Sequence, residues 1–141
     1  MTTQKRNSAL EEFGVKTSKG IELVEITGEV QQALSRSKAQ SGLCVVYCPH
    51  TTAGITINEN ADPDVRHDLE RAFAESVPKI SFRHSEGNSH SHYLSAMVGQ
   101  SATLLVDNGE LVLGRWQGIY FCEFDGPRSR RVHVAILRSD F

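Results

Sequence analysis

The chain has few cysteines and no long apolar run, and each shortage excludes a class of protein. Its 141 residues include three cysteines, Cys44, Cys48 and Cys122, an odd number that is too small for a disulfide framework. Cys44 and Cys122 lie in apolar segments, which is typical of buried, reduced thiols. Because no stretch of about 20 apolar residues is present, we expect no membrane-spanning helix.

Clustered positive charge is also scarce. The formal net charge is −2, and three basic residues fall within four positions only at Arg128, Arg130 and Arg131. A general nucleic-acid binder usually carries a basic face and a high pI, so we expect no nucleic-acid partner. The N-terminal segment MTTQKRNSALEEF lacks the apolar core of a signal peptide, from which we expect a cytoplasmic protein with no membrane partner.

The composition that remains is that of an ordinary globular protein. Hydrophobic residues make up 39% of the chain and charged residues 23%. A chain of this length can bury about two-thirds of the surface that it exposes when unfolded, which is enough for a substantial core. No internal repeat, linker or low-complexity tract interrupts it. We therefore expect a single domain over residues 1–141.

Hydrophobic patterning predicts eight or nine mostly antiparallel strands. Asp107-Asn108-Gly109 predicts a tight hairpin between two of them. The segments with strand-like patterns are 8–16, 21–27, 43–48, 53–58, 101–106, 110–114, 119–124 and 130–137.

Helical periodicity and capping residues predict two or three helices. The first spans about 28–40, with Thr27 as its N-cap. Asp62 is well suited to begin the second, and a short third helix starts at about Ser89. Strands and helices together predict an α+β fold, with the helices packed against the sheet structure. The order of the strands is not predictable from the pattern.

Polar residues with chemical potential cluster at the ends of predicted strands. Loops on a rigid scaffold are where binding and catalytic residues concentrate, so these positions are candidates for a site. They are His50, Asn58, Glu59, Asp62, His84, Glu123, Asp125 and Arg128.

The stretch HSEGNSHSHYL, residues 84–94, contains three of the six histidines of the chain. Gly87-Asn88 favours a turn between His84 and His92, which would allow the two imidazoles to meet while His50 arrives from another strand. Three imidazoles with one open position form a metal site of the catalytic zinc type. A solvated polar loop is the alternative, and the spacing alone leaves both open.

The arginines after the Asp125-Gly126-Pro127 turn suggest an anion site. Guanidinium groups pair bidentately with phosphate or carboxylate, and strand alternation places Arg128 and Arg130 on one face. Salt bridges to the abundant carboxylates are the alternative.

The apolar run 111–124 fits either an interior strand or a strand that buries one face against a second subunit. Within it, we expect Trp116 to lie in the core or at a subunit contact.

Three segments of the chain resemble the YjbQ family, described as secondary thiamine-phosphate synthase enzymes. They are PHTTAGITINENADPDVRHDLE, HSEGNSHSHYLSAMVGQS and GELVLGRWQGIYFCEFDGPRSRRVHV, which together cover most of residues 42–136. The resemblance implies an antiparallel β-sandwich-type core with packed helices and assembly as a homotrimer. It also implies a metal or anion site near the subunit boundary.

The resemblance assigns the histidine of the HTT element to His50 and the one that opens HSEGN to His84. The third metal-binding histidine falls on His92 by alignment. This chain departs from the family pattern at Ser89-His90-Ser91-His92, where the additional His90 stands beside the helical histidine. The implied cofactor is a divalent ion, either zinc or a similar transition metal, or magnesium.

The implied reaction joins hydroxymethylpyrimidine pyrophosphate to thiazole phosphate and releases pyrophosphate. In this reading Arg128 and the hydroxyls of Thr51 and Thr52 hold phosphate oxygens, and Glu59 or Glu123 orients a histidine or completes the metal coordination. The positions that would contact the small phosphorylated substrate are Thr51, Thr52, Asn58, Asn88, Asp125 and Arg128.

Two other functions remain open at the level of the sequence. Synthase activity could be a secondary property of a site built for another reaction. A metal-assisted hydrolase would use metal-bound water as its nucleophile. A non-catalytic protein would bind a metal or a phosphorylated ligand and would be stabilised by it without turnover.

Overall fold

A computed structural model describes residues 10–139 and shows an α+β fold, as predicted. Residues 1–9 and 140–141 of the predicted domain lie outside the described residues, and so do residues 8 and 9 of the predicted first strand. The elements in chain order are β1 (Leu10–Lys16), β2 (Glu22–Glu25), α1 (Thr27–Ser37), β3 (Ser41–Tyr47), β4 (Ala53–Glu59), α2 (Pro63–Glu75), α3 (Ser89–Val98), β5 (Ser101–Asp107), β6 (Glu110–Leu111), β7 (Gln117–Glu123) and β8 (Ser129–Arg138).

The strands form two sheets in which every pairing is antiparallel. The larger sheet has the order β1-β8-β3-β5-β6, and the smaller has the order β2-β7-β4. The main core lies between the two sheets and the apolar face of α1. Helices α2 and α3 contribute to a second cluster, which includes alternate residues of β7. The smaller sheet is therefore covered on both faces, which explains the unbroken apolar character of β7.

Strand β7 shows this double burial residue by residue. Ile119 and Phe121 are buried in the main core, whereas Tyr120 and Cys122 are buried in the second cluster. Of the two interpretations of the run 111–124, the interior strand is therefore the one found for this part of it. Trp116 lies before the strand and is 53% exposed, so of the two positions expected for it the core is excluded, while a subunit contact stays a prediction.

Two local sequence signals predicted the observed structure correctly. Asp62 caps α2 by accepting the Asp64 N–H at 2.9 Å, and both Asn108 and Gly109 have the positive φ that the predicted hairpin needs. Thr27, in contrast, does not cap α1. Its hydroxyl accepts the N–H of Ile119 at 2.8 Å, so a neighbouring strand competes for the group that a cap would use.

Helix length also bears on the membrane prediction. Between residues 10 and 139 no helix is both long enough and apolar enough to cross a bilayer.

Antiparallel pairing brings three connections to one edge of the molecule. Ala53, at the start of β4, lies opposite Glu123, at the end of β7. The β3–β4 connection is therefore adjacent to the β7–β8 connection. Helix α3 reaches the same edge because its residues Ser91 and Ser95 donate to the carbonyls of Phe124 and Ala53, each at 2.6 Å. The candidate site forms at this edge.

Gly54 permits the close contact between β4 and the end of α3. A Cβ at Gly54 would lie 2.6 Å from the Gly99 carbonyl oxygen, a distance that would force backbone to move. We expect Gly54→Ala to lower the free energy of unfolding by about 1–3 kcal/mol, the usual cost of overpacking. Urea unfolding measures this. Gly28→Ala is the control, since a Cβ there meets nothing within 4 Å; equal stability of both variants would contradict the expectation.

Candidate substrate-binding cavity

Two adjoining cavities open at this edge and share the wall formed by Pro49, His50, Thr51 and His92. The first, of about 390 Å³, is lined by Tyr47, Cys48, Pro49, His50, Thr51, His92, Ser95, Ala96 and Gln100. The second, of about 360 Å³, is lined by Pro49, His50, Thr51, Thr52, Glu86, Asn88, His92, Asp125, Arg128 and Arg130. Most of the site residues predicted from the sequence are therefore brought together by the fold.

A buried ion pair underlies the second cavity. Glu123 has no exposed surface, and its two carboxylate oxygens accept from Nε (2.9 Å) and Nη2 of Arg130. The same carboxylate accepts the hydroxyl of Thr17 at 2.8 Å and the N–H of Asp125 at 3.0 Å. Burial alone would raise the pKa of Glu123, but the hydrogen bonds from Arg130, Asp125 and Thr17 outweigh it and hold the pKa below the ordinary value. Glu123 is therefore a charged structural group that does not reach the cavity.

Arg130 also holds the loop after β3 in place. Its Nη2 donates to the hydroxyl of Thr52 at 2.8 Å, and its side chain is only 5% exposed. A buried arginine with a full set of partners is rigid, so Thr52 is held in place beside the cavity.

The imidazole of His50 is held by the backbone N–H of Arg131, the residue that follows Arg130 in β8. Its Nε2 accepts the N–H of Arg131 at 2.9 Å. Burial lowers the pKa of His50, and the nearby Arg130 guanidinium lowers it further. The imidazole is therefore neutral near pH 7, and because Nε2 is the acceptor, the proton belongs on Nδ1.

Asp125 organises the polar side of the second cavity. Its carboxylate accepts from the amide of Asn88 at 3.0 Å and from Nη2 of Arg128 at 2.8 Å. Burial would raise the pKa of Asp125, but these two hydrogen bonds and the charge of Arg128 hold it below the ordinary value. Arg128 itself has a side chain that is 52% exposed, and its Nε also donates to the Asp125 carbonyl. Its guanidinium is thus placed at the rim of the cavity.

The histidine-rich stretch forms the turn and helix that its sequence predicts. The rings of His84 and His92 lie edge to face, with centroids 5.6 Å apart. His84 Nε2 is 3.7 Å from the carboxylate of Glu86. His92 lines both cavities, whereas His90 lines neither. The pairing of His84 with His92 is therefore present, with His92 on the cavity side.

The three-histidine metal set fits this geometry only in part. His84 and His92 are close, but the Nε2 lone pair of His50 is already used by the Arg131 N–H, and its Nδ1 carries the proton in that arrangement. Within the part of the chain that the structure describes, no group of three or more histidine, cysteine or acidic side chains is placed to hold a metal ion. His50 therefore does not fit the role of a third ligand.

Two other predicted site residues lie away from the cavity. Asn58 and Glu59 are at the end of β4, about 17 Å and about 20 Å along the strand from Ala53 at about 3.3 Å per residue. The Asn58 side chain accepts the N–H of Glu59, and the Glu59 carboxylate accepts that of Ala61. Polar residues close both ends of β4, but only its beginning lies at the cavity edge.

Arg130 was a candidate for an anion site beside Arg128, but it received no role in the reaction that the resemblance implies. The pattern of β8 contains a signal for it, since Arg130 shares its face with Val132, Val134 and Ile136, which are all buried. An arginine on an apolar face needs an acidic partner, and Glu123 is the buried acid on the neighbouring sheet. Glu86, which also lines the cavity, had no distinguishing signal.

The architecture defines a class: a small α+β protein of two antiparallel sheets with a polar, two-part cavity at one edge. Residues 11–139 match the family model of the UPF0047 protein YjbQ-like family. The chain is 51% identical to the UPF0047 protein YugU of Bacillus subtilis over 130 residues, which is 91% of this chain and 98% of that protein. A UPF0047 protein of Methanocaldococcus jannaschii is also 51% identical, over 89% of this chain and 91% of its own length. The chain belongs to the UPF0047 YjbQ-like family.

Solved structures give the same result. A crystal structure of a YjbQ/UPF0047 family protein from Clostridium acetobutylicum matches with a TM-score of 0.87 at 49% identity, covering 90% of this chain and 99% of that one. A hypothetical protein from Aeropyrum pernix K1 also matches with a TM-score of 0.87, at 37% identity, covering 92% and 98% of the two chains. The resemblance recognised in the sequence is therefore confirmed at the level of family and fold.

The buried ion pair predicts a loss of stability in acid. Because the pKa of Glu123 is lower in the folded state than in the unfolded chain, its contribution is complete above the ordinary pKa of glutamate. It is lost as the pH falls through the lowered value. Glu123→Gln should lower the free energy of unfolding at pH 7 by about 3–5 kcal/mol, since Arg130 would remain buried without its counter-ion. Urea unfolding between pH 3 and pH 7 measures both effects.

Glu12→Gln is the matched control, because Glu12 forms an exposed ion pair with Arg131. Its loss should change stability by less than about 1 kcal/mol. A variant at Glu123 that was as stable as wild type at pH 7 would contradict the structural role of the pair.

Proposed function

We propose that the chain is an enzyme that acts on small phosphorylated substrates in a thiamine-phosphate synthase-like reaction. The observation that carries this proposal is the pair of adjoining cavities with a common wall at His50, Thr51 and His92. A reaction that joins two substrates needs two neighbouring compartments whose contents meet at one boundary. The YjbQ resemblance supplies the identity of the two substrates.

The linings suit different parts of those substrates. Arg128 and Asn88 provide donors in the second cavity, where a pyrophosphate group would be stabilised. Tyr47 and Ala96 give the first cavity a less polar wall, which suits a heterocyclic ring. In the proposed reaction the thiazole nitrogen attacks the methylene carbon of the pyrimidine. A C–N bond forms, and the C–O bond to pyrophosphate breaks with its electron pair on the departing oxygen.

The predicted residues that lie at or below the cavities receive roles consistent with their positions. Arg128 and the hydroxyl of Thr51 hold phosphate oxygens, whereas the hydroxyl of the buried Thr52 is used by Arg130. Glu123 acts as a positioning residue through Arg130. We assign no part of the reaction to Glu59, which lies at the far end of β4.

A divalent ion, zinc-like or magnesium, is retained as a proposal for His84 and His92 alone. Their rings are close enough to share one ion, and such an ion would add positive charge beside the phosphate groups. The remaining coordination positions would fall to substrate oxygens and water. No step of the reaction above depends on this ion.

We also propose that the chain acts in the cytoplasm as a homotrimer. The outer face of the larger sheet supports the homotrimer, because Leu43 on β3 lies between Leu137 on β8 and Leu105 on β5. These three leucines are 38%, 53% and 61% exposed, respectively, and form a continuous apolar strip. An apolar sheet face of this kind is typical of a subunit interface.

The synthase proposal predicts that the purified, untagged chain forms thiamine phosphate from the two phosphorylated precursors. Arg128→Ala should lower kcat/KM by about tenfold or more, because it removes a charge-assisted hydrogen bond to phosphate. Arg115→Ala is the control, since Arg115 stacks on Trp116 away from the cavities. Steady-state kinetics with both precursors measures the effect, and a second series with a chelator reports on the proposed ion.

Other outcomes would identify a different function. Release of phosphate from a single ester, without dependence on the thiazole, would indicate a hydrolase. A rise in Tm with either precursor but no product would indicate a binding protein. Full activity of a folded Arg128→Ala variant would remove Arg128 from the proposed site.

The trimer proposal predicts that the wild-type chain has three times its monomer mass by light scattering. A Leu105→Glu, Leu137→Glu double variant should be monomeric, because burying two carboxylates against an apolar partner is unfavourable. Ile80→Glu is the control: Ile80 is 63% exposed and lies outside the sheet. A monomeric wild-type chain, or a trimeric double variant, would contradict the proposal.

A further inference from the structure

We infer that Arg130 and His50 form a metal-independent anion site on the second cavity, in which Arg130 Nη1 and His50 Nδ1–H donate to phosphate oxygens. The inference rests on the proposed function for its ligand class, a phosphate or pyrophosphate group. It adds Arg130 to the binding residues and makes His50 a hydrogen-bond donor instead of a metal ligand.

Arg130 has one nitrogen left for a ligand. Its Nε is used by Glu123, and its Nη2 by Glu123 and Thr52. Nη1 has no partner among residues 10–139 and keeps some solvent-accessible surface, and Arg130 lines the second cavity. We therefore assign Nη1 to the ligand. Because the other two nitrogens fix the plane of the guanidinium, the free N–H groups are already oriented when a ligand arrives.

His50 meets the same two conditions. Its Nε2 is committed to the Arg131 N–H, which leaves Nδ1 as the protonated nitrogen. Nδ1 has no partner within the described part of the chain and, like Arg130 Nη1, is not among its unpartnered buried atoms. Arg130 disfavours a positive charge on His50, so the imidazole donates as a neutral group.

The alternative donor is Arg128, and its surroundings are less suited to a fixed anion site. Its Nη1 is also unpaired within residues 10–139, but the side chain is 52% exposed and anchored only to Asp125. Water and salt screen a charge in that position, whereas Arg130 is 5% exposed and lies in a drier environment. Arg130 should therefore contribute more to phosphate binding than Arg128 does.

The test is calorimetric titration of inorganic pyrophosphate into the full, untagged chain in a buffer that contains a chelator. We expect binding to persist in the chelator. Arg130→Lys should weaken it at least about tenfold, since lysine keeps the charge beside Glu123 but cannot provide the second arm of the fork. Arg128→Lys should weaken it less. Arg131→Gln is the matched control, because the Arg131 side chain contacts Glu12 on the opposite face of the strand.

A second measurement does not depend on any variant folding. In ¹⁵N spectra of the wild-type chain, His50 should show the Nδ1-protonated neutral tautomer, and pyrophosphate should shift the Nδ1 resonance. An Nε2-protonated tautomer, or binding that is abolished by the chelator, would overturn the inference. So would a larger loss from Arg128→Lys than from Arg130→Lys. Pyrophosphate binding without synthase turnover would leave this inference standing and remove the proposed reaction.

Discussion

The buried ion pair between Glu123 and Arg130 is the interaction on which the site depends. It joins the end of β7 to the beginning of β8, and through Thr17 it reaches the end of β1. Desolvation offsets much of the attraction within such a pair, so its net contribution to folding is modest, but losing either partner is costly. The main effect of the pair is therefore to fix the positions of the groups that surround it. The Asp125 N–H on one side and the Thr52 hydroxyl on the other are both held by the same two side chains.

The antiparallel topology determines which loops this pair can organise. Because Ala53 lies opposite Glu123, the loop after β3 and the loop after β7 meet at one edge, and α3 closes that edge by donating to carbonyls of both. The common wall of the two cavities belongs to the first loop and to α3. A site assembled from three separate connections has its geometry set by the sheets beneath it, which is the rigidity that positioning of substrates requires.

His50 illustrates how a hydrogen bond changes the chemistry that a residue type suggests. An isolated histidine in a polar loop is equally suited to bind a metal, to exchange a proton or to donate a hydrogen bond. The Arg131 N–H selects among these by occupying Nε2, and the nearby guanidinium of Arg130 favours the neutral ring. The family resemblance identified the residue, whereas its protonation and the direction in which it can act follow from its two neighbours in β8.

The sequence by itself determined the α+β class, the extent of most elements, the cap at Asp62 and the membership of the YjbQ family, because these depend on local periodicity, turn chemistry and long motifs. It also identified most residues of the cavity wall, since polar groups at strand ends are visible in the pattern. Only the tertiary structure decided that Asn58 and Glu59 lie at the opposite end of β4, that Thr27 bonds to Ile119 instead of capping α1, and that Arg130 is locked to Glu123. Each of these depends on which strand lies beside which, and strand order arises from long-range pairing that no local pattern encodes.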